Sequence, residues 1–264
     1  MDHHDHAGLA LAERPRGAVL RAANHARADD QACEYSGDTQ RTRSTRQPIH
    51  GPTDAHPRQA VSAAAVLAMA VSAFLIVYAT AVLTPAGQAL DTLAMTALAD
   101  AGAGYGWAEV LLEVISPTTL LAGTGLLAWC TCRRRGRVAA LTVTAAALGT
   151  AMTAHVLKDV LARPELLADA SSNSLPSGHV AAVAGLGVAA WIATDRAWHP
   201  VAAVVGGIAV AATGLATIML GWHRPSDVVA SALIAVGVGA IAVLSSAGHA
   251  PSAGAPPDHP RAHP

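Results

Sequence analysis

Charged side chains are scarce in this chain of 264 residues, in which Asp, Glu, Lys and Arg together make up 13%. That share is about half of what soluble domains usually carry, and the mean hydropathy is +0.38. The net charge is −1, so nothing in the composition indicates a nucleic-acid partner. Aromatic residues contribute only 3%. The apolar mass is therefore aliphatic and rich in glycine, which suits close helix packing in lipid.

Cysteine and lysine are also rare. The three cysteines are Cys33, Cys130 and Cys132, and the C-x-C pair has no second pair or nearby histidine to complete a zinc set. The sequence therefore predicts no metal site and no cofactor. Lysine occurs once, as Lys158, because the remaining 16 of the 17 basic residues are arginine.

Long apolar stretches fill the middle of the chain, between ends that predict disordered tails over 1–59 and 248–264. No secretory leader is recognisable at the start. Six stretches approach the ~20 residues needed to cross a bilayer; they cover roughly 61–84, 108–130, 138–161, 177–194, 200–222 and 226–246. The pattern predicts an all-α integral membrane bundle of six transmembrane helices over 60–247, and it disfavours a soluble bundle.

The positions of the basic residues predict the orientation. Arginines cluster over 133–137, occur again at Arg196, and precede the first stretch. The loop between the first two stretches contains Asp91 and Asp100 but no basic residue. All basic sites fall on one side if both tails are cytoplasmic. We therefore expect a multi-pass protein of the cell membrane.

Further ionisable groups then collect on the opposite, extracytoplasmic side. They include Lys158, Asp159, Arg163, His179, His223, Arg224 and Asp227. A charge costs about 2.5–3.5 kcal/mol at mid-membrane on insertion scales, so a chain this poor in charge is not expected to cluster them by chance. The cluster predicts a functional site at that face.

Each part of the cluster suits phosphoryl chemistry. Ser177, Gly178 and His179 open the fourth stretch after a proline, so backbone N–H groups at a helix start can cradle an anion. His179 is placed to donate a proton to a departing oxygen. His223 and Asp227 are four residues apart and share a helical face, so the carboxylate can orient the imidazole for attack on phosphorus.

These segments resemble the three-part signature of the type 2 phosphatidic acid phosphatase superfamily, which also contains bacterial non-specific acid phosphatases and vanadium-dependent haloperoxidases. The resemblance covers roughly residues 105–247: first Lys158 to Pro164, then Pro176 to His179, then His223-x-x-x-Asp227. It implies a phosphohistidine on His223, oriented by Asp227, and a leaving group protonated by His179. It also implies phosphate binding by Lys158, Arg163, Ser177 and Gly178, and no metal.

Two positions depart from the family pattern. Only four residues separate Lys158 from Arg163, where the family has six. On one regular helix the two side chains would diverge by roughly 140°, so the helix is expected to end before Pro164. The family's Ser-Arg pair is replaced by Ala216 and Thr217, and Arg224 is the expected substitute for the missing arginine.

The resulting expectation is hydrolysis of a lipid phosphate, either a polyprenyl or a glycerolipid monoester or pyrophosphate. A lipid phosphotransferase with the same site, a vanadate-dependent haloperoxidase and a non-catalytic lipid-binding member remain alternatives. Glu113, inside the second stretch, is a further functional candidate as an intramembrane acid. His155, one turn before Lys158, is expected to pack.

Overall fold

The computed structural model describes residues 55–102, 104, 106–167 and 173–247. Every regular element in these ranges is helical. The α-helices are α1 (Ala55–Val77), α2 (Pro85–Gly102), α3 (Trp107–Val114), α4 (Pro117–Arg135), α5 (Arg137–Val160), α6 (Gly178–Ala193), α7 (His199–Met219) and α8 (Pro225–Ala247). A short π-helix, Tyr78–Val82, extends α1, and a 3-10 turn, Arg196–Trp198, precedes α7. Because α1 begins at Ala55, it starts ahead of the predicted tail boundary at residue 59. The rest of both predicted tails, 1–54 and 248–264, lies outside the described residues.

The six apolar stretches coincide with helices, but not all of these helices have the length of a membrane span. Four described segments are long and apolar enough to cross alone: Ala60–Val82, Arg137–Val160, Arg196–Met219 and Pro225–Ser246. Helices α3 and α4 form a fifth candidate as a bent pair, and α6 has only 16 residues. Length and composition thus support four or five crossings, and the predicted sixth depends on α6.

The second apolar stretch is not one straight helix. Helices α3 and α4 meet at 54°, because Ser116 is extended and its side chain accepts a hydrogen bond from the Thr119 amide. Pro117 then occupies the first helical turn, where a missing N–H costs nothing. The acids Glu109 and Glu113 therefore lie on the short helix α3, outside the longer helix α4.

Helix α2 occupies what the sequence predicts to be a loop. Its polar residues Gln88, Asp91 and Thr92 follow i, i+3, i+4 spacing, so they share one face. Gln88 and Asp91 are buried, and α2 packs on α7 and α8. The Gln88 amide donates to the carbonyls of Val82 and Pro164, both at 2.7 Å. This helix buries its polar face against the bundle, the reverse of a surface helix in water.

Helix α8 packs against α1, α5 and α6, and α6 packs in addition on α5 and α7. Small residues allow these close approaches. A Cβ on Gly185 of α6 would lie 2.8 Å from the Ala147 carbonyl of α5. Only glycine fits that contact without a shift of one backbone.

The two ends of the bundle differ in the residues they bring together. At one end Arg135 forms an ion pair with Asp195 and donates to the carbonyls of Ile192 at 3.0 Å and Thr194 at 2.8 Å. At the other end α5 finishes while α6 and α8 begin, and the Tyr78 hydroxyl donates to the Ala162 carbonyl at 2.7 Å. The candidate site lies at this second end.

Candidate active site

His223 lies in the turn between α7 and α8. The amides of Trp222 and His223 both donate to the Thr217 carbonyl, at 3.0 and 3.2 Å, and Gly221 takes the positive φ of 69° that the turn requires. Nδ1 of His223 faces Oδ2 of Asp227 at 3.4 Å. That contact is longer than a typical hydrogen bond. It leaves Nε2 as the ring nitrogen that can face a substrate.

Asp227 is fully buried, and four groups converge on its carboxylate. Oδ2 accepts from the Arg224 amide at 2.9 Å and from the Ser174 hydroxyl at 2.6 Å, in addition to facing His223. Oδ1 accepts from Nη1 of Arg163 at 3.0 Å. Donors on both oxygens favour the ionised carboxylate, which is the state that holds Nδ1 of His223 protonated.

Arg163 reaches this carboxylate because α5 ends at Val160 and the next residue is extended. The helix therefore stops before Pro164, as the spacing predicted. The Arg163 side chain is only 4% exposed, and its Nη2 contacts Oδ2 of Asp91 at 3.1 Å. Both terminal nitrogens thus engage carboxylates. Phosphate binding by Arg163 stays a prediction, and any such contact has to form beside these two ion pairs.

Asp91 is a site residue that the sequence analysis did not identify. Its Oδ1 accepts from the Ser226 amide at 2.9 Å, and its Oδ2 accepts from the Ser226 hydroxyl at 2.5 Å and from Arg163. It therefore caps the start of α8, where a negative charge is favourable. In the sequence, Asp91 is marked only as an acid in a segment without basic residues, which indicates orientation and not a site.

Arg224 is 5% exposed, and its side chain donates to hydroxyl groups of two other segments. Its Nε donates to Thr92 at 3.3 Å and its Nη1 to Ser174 at 3.2 Å. Burial lowers the pKa of Arg224 and the charge of Arg163 lowers it further, while Asp227 and Asp91 raise it. The guanidinium nevertheless stays charged, as arginine does in proteins.

The position of the family's third-motif arginine is filled by a short side chain. Thr217 is fully buried, and its hydroxyl donates to the Gly214 carbonyl at 2.8 Å within its own helix. This position therefore carries no positive charge that could bind phosphate. The nearest sequence substitute is Arg224, whose role in phosphate binding remains a prediction.

The second motif forms the start of α6. A cis peptide bond joins Leu175 to Pro176, and buried Ser177 caps the helix by accepting from the Val180 amide. The Ser231 hydroxyl donates to the Ser177 carbonyl at 2.9 Å, which joins α6 to α8. The amides of Gly178 and His179 precede the first intrahelical bond and can face an anion. Gly178 is exposed.

Lys158 and His179 line one cavity of about 490 Å³, together with Pro176 and Gly178. The His179 ring lies 5.9 Å from the Trp222 ring, and it is within electrostatic range of both His223 and Lys158. Three separate segments therefore come together at one end of the bundle, contributing Lys158, His179, and the pair Trp222 and His223. Asn173 supports this arrangement by donating to the carbonyls of Lys158 at 3.0 Å and Leu161 at 2.8 Å.

The charges of this cluster do not cancel. Arg163 and Arg224 are balanced by Asp91 and Asp227, and Lys158 adds a positive charge that faces the cavity. The arrangement is therefore suited to an anion. Among the described residues, no group of three His, Cys, Asp or Glu side chains is positioned to hold a metal ion.

Comparison with known proteins identifies the family of this chain. No curated protein and no solved structure matches the chain. A family model described as the PAP2 superfamily matches residues 31–249, a range that includes every residue of the cluster described above. Because this match spans most of the chain, the protein belongs to the PAP2 superfamily, the type 2 phosphatidic acid phosphatases that its three motifs resemble.

Proposed function

We propose that this protein is a membrane enzyme that hydrolyses lipid phosphates through a covalent intermediate on His223. Membership of the PAP2 superfamily indicates phosphatase-type activity on phosphate esters. The observation that supports the finer proposal is that Lys158 and His179 lie at the polar end of a mainly apolar cavity, with His223 within electrostatic range of His179.

In the proposed reaction, Nε2 of His223 attacks phosphorus and forms an N–P bond. The bond from phosphorus to the leaving oxygen breaks, its electron pair stays on that oxygen, and His179 supplies the proton. Water then attacks phosphorus while His179 takes a proton from it. The N–P bond breaks, its electron pair returns to Nε2 of His223, and inorganic phosphate leaves. Asp227 holds the His223 ring in one tautomer during both steps.

Stabilisation of the transition state is assigned to the cations and amides around the cavity. Lys158 and the first amides of α6 would face the phosphoryl oxygens as charge develops on them. Ser177 contributes by setting the direction of these amides, since its hydroxyl is engaged as the cap of α6. Arg224 is the proposed further cation beside His223.

The lining of the cavity supports a lipid substrate. Away from Lys158 and His179 the walls come from α4, α5 and α6 and are mainly apolar, including Leu120, Leu121, Leu148, Ala151 and Met152. A binding site with one charged end and an apolar remainder matches an amphiphile whose phosphate is at the charged end. The hydrocarbon chain would extend between these helices.

We further propose six membrane crossings with both tails cytoplasmic and the site at the extracytoplasmic face of the cell membrane. Helix α6 has 16 residues, or about 24 Å, against roughly 30 Å of hydrocarbon. A crossing by so short a helix would place Gly178 and His179 slightly below the membrane surface, where a lipid phosphate is accessible.

The deciding experiment is phosphate release by the purified protein in detergent micelles. The panel contains a prenyl monophosphate, a prenyl diphosphate, phosphatidic acid and a water-soluble phosphomonoester. We expect turnover of lipid phosphates and a loss of at least about 10³-fold in His223→Ala. Lipid binding without turnover of any member would instead support the non-catalytic alternative.

The same assay tests metal independence. We expect the rate to be unchanged after incubation with a strong chelator, because the proposed chemistry uses only protein side chains. Activity that disappears with chelator and returns with a divalent cation would contradict this mechanism.

A further inference from the structure

His155 is a basic side chain at the cavity that the proposed reaction does not use. It lies on α5 three residues before Lys158, so the two side chains share a helical face. His155 is exposed and lines the same cavity as Lys158 and His179. The packing role expected from the sequence does not describe this position.

The depth of His155 distinguishes it from Lys158. Lys158 lies in the last turn of α5, and His155 is about 4.5 Å further into the bundle along the helix axis. Its neighbours on the cavity wall include Ala151, Met152 and Leu148. An imidazole offers at least one N–H donor in either protonation state. In such an apolar wall, an N–H group without a hydrogen-bond acceptor is energetically costly, so a ligand or water is needed to accept from it.

We propose that His155 binds the phosphate on the lipid side of the scissile bond, so that the preferred substrate is a lipid diphosphate. This inference rests on the proposed function. When His223 attacks the terminal phosphorus of a diphosphate, the bond to the bridging oxygen breaks and its electron pair stays on that oxygen. His179 protonates the oxygen, and the leaving group is a lipid monophosphate.

The retained phosphate of that leaving group lies between His179 and the apolar part of the cavity, which is the stretch of wall that holds His155. With a lipid monophosphate, the leaving group is an alcohol and offers no second anion at this depth. His155 therefore discriminates between the two substrates by a hydrogen bond that only the diphosphate accepts.

The test uses two substrates with the same prenyl chain, one a monophosphate and the other a diphosphate. We compare kcat/KM for the full-length protein, His155→Ala, His155→Gln and the control Met152→Ala, which changes the same cavity wall. His155→Ala should lower kcat/KM on the diphosphate about 10- to 100-fold and change the monophosphate value less than about threefold. His155→Gln, which keeps a donor, should recover part of the loss. Met152→Ala should leave the ratio of kcat/KM between the two substrates unchanged.

An equal loss on both substrates, or no loss on either, would overturn the role of His155. If the full-length protein hydrolyses neither, the proposed function fails, and binding of the same two lipids then decides the inference. In that case His155→Ala should weaken binding of the diphosphate only, and unchanged selectivity would refute it.

Discussion

Arg224 is the residue that we propose compensates for the departure from the family pattern. The usual arginine position holds Thr217, whose hydroxyl bonds within its own helix. The Arg224 guanidinium is held by Thr92 and by Ser174, which also donates to Asp227. A cation fixed by two hydroxyl groups is preorganised, so it stabilises developing charge without reorientation. This is the physical reason to propose that Arg224 replaces the third-motif arginine.

Arg224→Ala should therefore lower kcat/KM by about 10²–10³-fold, the usual cost of losing one such donor. Arg224→Lys keeps the charge but not the planar geometry and should recover only part of the activity. The measurement is phosphate release per folded protein, with Arg196→Ala at the opposite end of the bundle as control. Rates for Arg224→Ala equal to those of the unchanged protein would remove Arg224 from the mechanism.

The sequence predicted those site residues that lie close together in the chain or within a recognisable motif. His223 and Asp227 are four residues apart, and the stretch from Pro176 to His179 is a helix start, so short-range geometry suffices for both. Asp91, Ser174 and Thr92 were not predicted, because their contacts join positions 50 to 135 residues apart. Such pairings depend on tertiary packing, which one sequence does not encode in any short pattern.

Among the elements, α2 has the largest discrepancy with the sequence prediction. Mixed polar and apolar residues over 85–102 resemble a loop between membrane spans, whereas in the structure their polar face is buried on the bundle. Asp91 is one attachment, since it joins the loop after α5 through Arg163 and the start of α8 through Ser226. Helix α2 thus helps hold the segment that carries Arg163.

Asp91→Asn tests this attachment with little change in size. The substitution leaves the buried Arg163 with a single carboxylate partner, and breaking a buried ion pair costs about 3–5 kcal/mol. We expect a clear fall in Tm for the purified protein in detergent. Asp100→Asn on the same helix, where the acid is exposed, should leave Tm unchanged. Equal Tm values for the two variants would show that Asp91 does not anchor α2.

The contact between α5 and α6 gives a second prediction at this scale. A Cβ at Gly185 would lie 2.8 Å from both the Ala147 carbonyl and the Thr150 Cβ. Gly185→Ala should therefore destabilise the protein by about 1–3 kcal/mol through overpacking. Gly207→Ala is the matched control, since nothing lies within 4 Å of its added Cβ, and alanine is the better helix former. Thermal unfolding should show a lower Tm for Gly185→Ala and no lower Tm for Gly207→Ala.

The apolar stretches predicted the long helices well because hydrophobic length is a direct property of the sequence. Pro117 and the two nearby acids indicated an interruption between α3 and α4 but not the size of the bend. A proline shows where a helix starts, not the angle between helices. The bounds of α6 were also predicted closely, as 177–194 against Gly178–Ala193. The hydrogen bond that joins its start to α8, from Ser231 to Ser177, was not predicted, because it links distant parts of the chain.

For the molecule as a whole, the two ends of the bundle differ in chemistry. One end contains the pair Arg135 and Asp195, with side chains 36% and 72% exposed, so these charges are accessible to water. The other end contains the buried network around Asp227 and the charged end of the cavity. Arginine-rich segments favour the cytoplasmic side, and this asymmetry supports an orientation with the site outside.

Orientation is testable with single cysteines in a background from which Cys33, Cys130 and Cys132 have been replaced by serine. Arg196→Cys marks the arginine end, and Glu165→Cys marks the loop after α5 at the site end; both positions are exposed. In intact cells, a membrane-impermeant maleimide should label Glu165→Cys and spare Arg196→Cys. Disruption of the membrane should then expose Arg196→Cys to the same reagent, which controls for the reactivity of that position.

The reverse labelling pattern would place His223 and His179 on the cytoplasmic side, and the orientation derived from the basic residues would then be wrong. Labelling of both positions in intact cells would mean that the two ends of the bundle face the same compartment. That result would contradict a membrane-spanning arrangement of α5 and α7, and with it the delivery of a lipid phosphate from the outer leaflet to the cavity between α4, α5 and α6.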